Sequence, residues 1–334
     1  MKIVNQATSF VAKLKRRFFT PKVMRKLVVT GKSQPRLRYF QGEVDQKPVV
    51  FRLGASSGLE QAEPGLINLL SKEFSEIITG RKILIKYNLN TANPYPASVC
   101  PGMLRTLTDL LLKLGASEVI AGDCCTIRLL PTRSQVKKAG LAEALDDRAK
   151  LICFDDLPWV SVPIKGKYLQ KVTVPKAALE ADVIIALANL KTHCHAVYTG
   201  ALKLSVGFMH PLERIPLHRD HLQEKIAEIN LAIQPDLFII DARTTMVTGG
   251  PDHGKTEPGG CLLVSNNPLA LDIEAYKLLY MLKAENRCLE GYEEDPFTLT
   301  QFKHARELGI GGLPWQGYQV VEWPPQAVPP DGGV

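Results

Sequence analysis

Between Leu190 and Gly207 the chain reads "LKTHCHAVYTGALKLSVG", directly after the apolar run "ADVIIALAN". Two lysines and two histidines so close to a buried-looking strand are costly to desolvate, so a core does not collect them without a use. His193 is the side chain type best suited to moving a proton at neutral pH. Lys191 and Lys203 would hold negative charge, and Gly200 relaxes the turn between them. The chemistry expected here is anion binding with proton transfer, carried by His193, Lys203 and Lys191.

Other segments contribute polar residues where apolar runs stop. Lys86 and Asn88 end "ILIKYN", Asp123 ends "VIAGD", and Asp241 and Arg243 follow "LFIID". In an open parallel sheet, ligands sit beyond the carboxyl ends of the strands. Lys86, Asp123, His193 and Asp241 are therefore expected at one sheet edge, with Asn88 and Arg243 beside them. Gly250 belongs to a glycine-rich loop whose amides could touch the same anion. His218 and His221 are three apart, one face of a helix. His218, with Asp272 as a second ligand, is the candidate site for a divalent metal. Cys194 should point away from the flanking histidines by strand alternation. Cys124 and Cys125 end a strand and could line the cleft, but no neighbouring base is readable.

"GGPDHGKT", Gly249 to Thr256, matches the phosphate-loop pattern letter for letter. That pattern works only where a helix follows and offers its N-terminal amides. Here "EPGG" follows, and Gly259 and Gly260 are poor helix formers. A nucleotide-binding loop is not expected.

Elements that could position these residues are visible in the hydrophobic patterning. Near-continuous apolar runs ("RKILIKYN", "ASEVIAGD", "ADVIIALAN", "PDLFIIDA", "CLLVSNN") alternate with amphipathic segments ("PGLINLLSKEFSEIIT", "PGMLRTLTDLLLKLG", "SQVKKAGLAEALDD", "HLQEKIAEINLAI", "PLALDIEAYKLLYML"). This predicts an α/β fold, a mostly parallel sheet with helices on both faces, in one body or two lobes. Pro64 and Pro101 fall where their helices should begin, with Gly80 and Gly115 past the ends.

The 334 residues are 45% hydrophobic and 22% charged, ordinary for a soluble globular chain. The formal charge is +7, yet residues 1–42 hold eleven Lys/Arg and no Asp/Glu, so the remainder carries −4. The basicity belongs to an arm, residues 1–42. Phe10, Leu14 and Phe18 recur every four residues there, while Lys13, Arg16 and Arg17 point elsewhere. Such a basic amphipathic helix suits a membrane surface or an acidic partner through residues 1–30, or docking on the chain's own body. "RRFF" lacks the apolar stretch an export signal needs, since Lys22, Arg25 and Lys26 interrupt it. A cytoplasmic protein, peripheral at a membrane if the arm docks there, is expected. No basic-aromatic interleaving recurs downstream, so no specific nucleic-acid partner is expected. The body spans 43–323, and the proline-rich "EWPPQAVPPDGGV" leaves 324–334 as a tail. Seven cysteines without a CxxC pair encode no iron–sulfur cluster.

Taken in order, "ILIKYN", "EADVIIALANLKTH", "TGALKLSVG", "LHRDH", "PDLFIIDARTTMVTGGP" and "LALDIEAY" resemble the DUF362 family, from about residue 49 to 285. That family has no generally established reaction. Many members carry a ferredoxin-like segment whose cysteine pattern this chain lacks. A more distant likeness is to the nickel-pincer lactate racemases, the LarA family. There a lysine tethers the pincer cofactor, a histidine is an acid/base, and a later histidine binds nickel. By that resemblance His193 matches the acid/base histidine, Lys203 the tethering lysine, and His218 falls near the metal histidine. "TGALK" stands where that family has a glycine pair before the lysine, and "GDCCTIR" lacks its second acid/base histidine. The expected function is an enzyme on a small carboxylate or phosphate, with metal or cofactor assistance open. The alternative is a ligand- or cofactor-binding or electron-transfer accessory protein.

Overall fold

The computed structural model describes residues 29–37, 47–56, 58–125, 131–312 and 315–324. The amphipathic segment around Phe10–Phe18 and residues 325–334 of the tail lie outside them. The described end of the arm joins the body. Strand β1 (Val29–Lys32) pairs in parallel with β6 (Trp159–Pro163), which pairs antiparallel with β7 (Lys171–Pro175). Just beyond β1, Arg36 reaches Asp236 at 2.6 Å.

The main sheet has nine strands. They are β2 (Val49–Gly54), β3 (Lys82–Lys86), β4 (Glu118–Asp123), β5 (Lys150–Cys153), β8 (Val183–His193), β9 (Val197–Thr199), β10 (Leu237–Met246), β11 (Thr256–Ser265) and β12 (Gln319–Trp323). Their order is β12-β2-β11-β10-β8-β3-β4-β5, with β9 folded back onto β8. From β10 to β5 every neighbour is parallel. Only β11 and the short β9 run against their neighbours. The α/β class and the mostly parallel sheet follow the hydrophobic pattern. Rather than two lobes, one large sheet is joined by the small sheet of β1, β6 and β7.

Strand alternation explains why both faces are covered. Leu84, Ile184, Ala186 and Ala188 feed one core, while Ile83, Ile85, Ile185 and Leu187 feed the other. All eleven residues of β8 are buried. A strand buried on both sides has to be apolar throughout, which is why "VIIALA" reads as a continuous run.

Some boundaries differ from the sequence reading. The first helix starts at Leu59, so Pro64 sits inside it rather than at its start. The "SQVKKAG" helix breaks at Gly140, in the left-handed region with φ +67°, into Thr132–Lys138 and Leu141–Leu145. The loop carrying "GGPDHGKT" links antiparallel β10 and β11 and opens no helix. Among the described residues no helix is long and apolar enough to cross a membrane.

Candidate functional site

The parallel strands end together, and their carboxyl ends open into a cavity of about 670 Å³. Its wall includes seven of the residues singled out by sequence: Lys86, Asn88, Asp123, Lys191, His193, Lys203 and His218. Ladder register sets the first of these. Lys86 lies opposite Ala186 of β8 and Gly122 of β4, so Lys86 and Asp123 emerge side by side.

Lys86 Nζ and Asp123 Oδ1 are 2.7 Å apart, both almost fully buried. Lys86 also donates to Tyr87 O at 2.7 Å. Asp123 accepts the amides of Leu89 and Cys124, each at 2.7 Å. Burial pushes the Lys86 pKa down and the Asp123 pKa up, and their mutual ion pair opposes both shifts. The pair needs the glycine beside it. A Cβ on Gly207 would overlap Lys86 Nζ and stand 2.8 Å from Asp123 Oδ1. Gly207→Ala is therefore expected to lower folding stability by about 1–3 kcal/mol, measured as a urea unfolding midpoint. An unchanged midpoint would mean the pair tolerates displacement.

Lys191 and His193 do not follow the strand; they are its last turn-ward residues, opposite Thr199 and Val197 of β9. Lys191 is 1% exposed and donates to Ala97 O at 2.5 Å and Pro251 O at 3.1 Å. It ties two loops together over the cavity. The second tie is Asn90 Nδ2 to Asp252 Oδ1 at 3.0 Å. Burial first, then the charge of Lys203, lower the Lys191 pKa to about 7.

His193 Nδ1 accepts the amides of His195 (3.2 Å) and Ala196 (3.1 Å). This fixes the ring proton on Nε2. Burial, followed by Lys203 and Lys191, drives its pKa far below the usual imidazole range. The ring is thus neutral, a hydrogen-bond donor at Nε2 with its Nδ1 lone pair occupied. His218 has the opposite tautomer. Its Nδ1 meets Arg214 O at 2.7 Å, an acceptor, leaving the Nε2 lone pair unoccupied. Burial lowers its pKa, and the Arg214 carbonyl partly offsets that.

Lys203 is carried by the short helix Ala201–Leu204. It is half-buried, and its Nζ has no hydrogen-bond or ion-pair partner among the described residues. Burial lowers its pKa to about 8. Arg214 lies nearby, and sequence reasoning missed it. Among the described residues its guanidinium donates to four carbonyls: Met209 (2.9 Å), Cys124 (2.8 Å), Cys125 (2.9 Å) and Gly207 (2.9 Å). The cavity wall therefore carries four cations, Lys86, Lys191, Lys203 and Arg214, against two carboxylates, Asp123 and Asp252.

Four expected site residues lie outside the cavity wall. Arg243 spends its charge on Asp241, with contacts of 3.0 and 2.7 Å. Asp241 stands level with Asn189 of β8 but is held by Arg243 and by Tyr95 Oη at 2.8 Å. Gly250 has φ +75°, and a Cβ there would strike Thr192 O. Its amide donates to His253 O at 2.8 Å, so it offers nothing to an anion. Asp272 is fully buried below the cavity. It accepts Tyr198 Oη (3.0 Å), Ala201 N (2.5 Å) and Leu202 N (2.9 Å). Those bonds cap the helix bearing Lys203, a structural task. With its oxygens so engaged, Asp272 cannot join His218 at a metal. Among the described residues no three His, Cys, Asp or Glu side chains gather to hold one.

The remaining expectations resolve by local geometry. His218 closes the helix Arg214–Leu217, whereas His221 precedes Leu222–Ile229 and stacks on Tyr168 at 4.2 Å, so they share no helix face. Cys194 lies past the end of β8 in the turn, so alternation no longer governs it, and it lines the cavity with His193 and His195. Cys124 also lines it, but burial raises its thiol to about 12.

Comparison with known proteins places this geometry in a family. A thylakoid-associated protein of Synechocystis sp. is 27% identical over 246 residues, 69% of each chain. The lactate racemase apoprotein from Thermoanaerobacterium thermosaccharolyticum aligns with 14% identity and a TM-score of 0.40, over 75% of this chain and 62% of that one. A Thermotoga maritima protein aligns with 14% identity and a TM-score of 0.39, over 67% and 59%. The chain thus spans less than two thirds of both solved structures. The model of the domain of unknown function DUF362 matches residues 83–277, more than half the chain, and the protein belongs to that family.

Proposed function

We propose that the cavity is the active site of an enzyme that binds a small carboxylate or phosphate. Lys203, Lys191 and Arg214 supply the positive charge. His193 donates a hydrogen bond from Nε2, and His218 takes a proton at Nε2. The observation that carries this reading is Lys203 Nζ, an amine in the cavity wall with no hydrogen-bond or ion-pair partner among the described residues. It stands near Arg214, whose guanidinium donates to backbone carbonyls. Cations held together out of water repel each other, and an anion relieves that cost.

A thermal-shift series with acetate, pyruvate and inorganic phosphate tests the binding half. A probe present at 100 times its Kd should stabilise the fold by about 2.7 kcal/mol. Lys203→Ala should weaken that probe roughly 10- to 100-fold, the worth of one charge-assisted hydrogen bond. Equal binding by the alanine variant would remove Lys203 from the site.

One observation favours a second reading, a binding protein that does not transform its ligand. His193 is fixed as a donor and cannot take a proton. His218→Ala separates the two. In the enzyme it loses about 10²- to 10⁴-fold in turnover while the probe still binds. In a carrier there is no turnover to lose. The basic arm, with the thylakoid association printed for the relative, supports docking of residues 1–30 at an anionic surface.

A further inference from the structure

We propose that Lys203 is a covalent nucleophile, and that the ligand of this cavity is an anion bearing an aldehyde or ketone with which it forms an imine. This rests on the anion-binding reading of the same cavity and names its substrate class.

Three lysines line the cavity, and their surroundings differ. Lys86 Nζ is committed to Asp123 and Tyr87 O. Lys191 Nζ is committed to Ala97 O and Pro251 O. Lys203 Nζ is committed to nothing among the described residues. A lysine kept for structure uses its hydrogens, and a nucleophile keeps its lone pair free. Its position is nonetheless fixed. Asp272 holds the first two amides of the Lys203 helix, and Tyr198 Oη holds Asp272. No Cβ fits at Gly200, which would strike Tyr198 Oη and Asp272 Oδ1.

The cavity lining carries a second, independent feature. Asn189 Oδ1 and Thr199 Oγ1 are buried, at 1% and 5% residue exposure, and neither has a hydrogen-bond partner among the described residues. Both residues line the cavity. Buried polar atoms without partners are rare and costly. A carboxylate alone cannot satisfy Asn189 Oδ1, because it brings no donor. A carbinolamine brings a donor, its hydroxyl, which the ground-state carbonyl lacks. The depressed Lys203 pKa agrees with this assignment, since more of the amine is neutral near pH 7.5 than for an exposed lysine.

The step balances without any further reagent. The Nζ lone pair attacks the carbonyl carbon, and the C=O π pair moves to oxygen. A proton passes from nitrogen to that oxygen, giving the carbinolamine. The C–O bond then breaks, water leaves with a second proton from nitrogen, and C=N forms. Amine and carbonyl become imine and water. Arg214 and Lys191 hold the anionic end of the substrate meanwhile.

The test uses the full chain with glyoxylate or pyruvate at pH 7.5, with sodium cyanoborohydride to reduce C=N to a stable C–N bond. Intact mass and peptide mapping read the product. One adduct per chain is expected at Lys203, at least about tenfold above exposed lysines such as Lys165 and Lys176. Lys203→Arg should abolish it. Adducts spread over surface lysines, or concentrated on Lys191, would overturn the proposal. A parallel thermal-shift measurement with pyruvate separates the two ideas. Stabilisation without trapping sinks the imine and leaves the anion site standing, whereas neither stabilisation nor trapping sinks both.

Discussion

Asp123→Ala is expected to cost about 3–5 kcal/mol of folding free energy, the loss typical of a buried ion pair robbed of one member. The carboxylate neutralises Lys86 at 2.7 Å where neither group reaches water. Removing it leaves the ammonium with Tyr87 O alone. It also strands the amides of Leu89 and Cys124, which start the loops flanking the cavity. Lys86→Met combined with Asp123→Leu should recover more than half of the loss, because the apolar pair leaves no charge to desolvate. Urea unfolding of the two single variants and the double variant closes the cycle. A single variant as stable as wild type would show that water enters and solvates Lys86. A double variant no better than the singles would show that the amide bonds, not the ion pair, dominate.

That pair illustrates what the sequence discloses. Lys86 and Asp123 each end an apolar run, and parallel strands bring such ends to one edge, so their meeting was legible before any coordinates. The same rule found Lys191 and His193. It failed for Arg243, whose partner Asp241 sits two residues away on the same strand face; that spacing was a readable signal for an internal ion pair. It could not find Arg214. Its acceptors at Cys124 and Cys125 are some 90 residues distant, and nothing in "LERIPLH" announces them. Asp272 misled for a related reason. A carboxylate offered beside a candidate metal histidine suggests a ligand, but the helix Pro268–Glu285 turns Asp272 onto the amides of Ala201 and Leu202. The roles of the histidines were also beyond the sequence. Both are imidazoles near a lysine, and only the bonds at Nδ1, two amides for His193 and a carbonyl for His218, make one a donor and the other an acceptor.

Raising the pH from 7 to 9 is expected to weaken binding of acetate, which cannot form an imine, by about 10²- to 10³-fold, through the charge of two lysines. Burial, reinforced by Lys203, places Lys191 at about 7, and burial places Lys203 at about 8. A bound anion favours the ammonium forms and raises both values. Between the free and bound pKa of each lysine, binding takes up a proton, and affinity falls up to tenfold per pH unit. Lys191 then contributes about two decades over this interval and Lys203 about one. Acetate stays fully ionised throughout, so its own charge adds no slope. The unliganded protein should move the other way. Both amines have folded pKa values below the usual 10.5, so between pH 7 and 10 the unfolded chain binds more protons than the folded one. Stability without ligand should therefore rise across that window, as burial of charged amines stops opposing folding. Asp272 acts in a lower window. Burial lifts it to about 7, so the unliganded protein loses its contribution as pH rises from about 4 to 7, and the end of that window overlaps the titration of Lys191. Calorimetric titration of acetate at half-unit steps, beside unfolding midpoints of the free protein, measures both slopes. In Lys191→Met the affinity slope should drop by the part belonging to Lys191, leaving that of Lys203. An acetate affinity that is flat or rises between pH 7 and 9 would mean that these lysines do not face the anion.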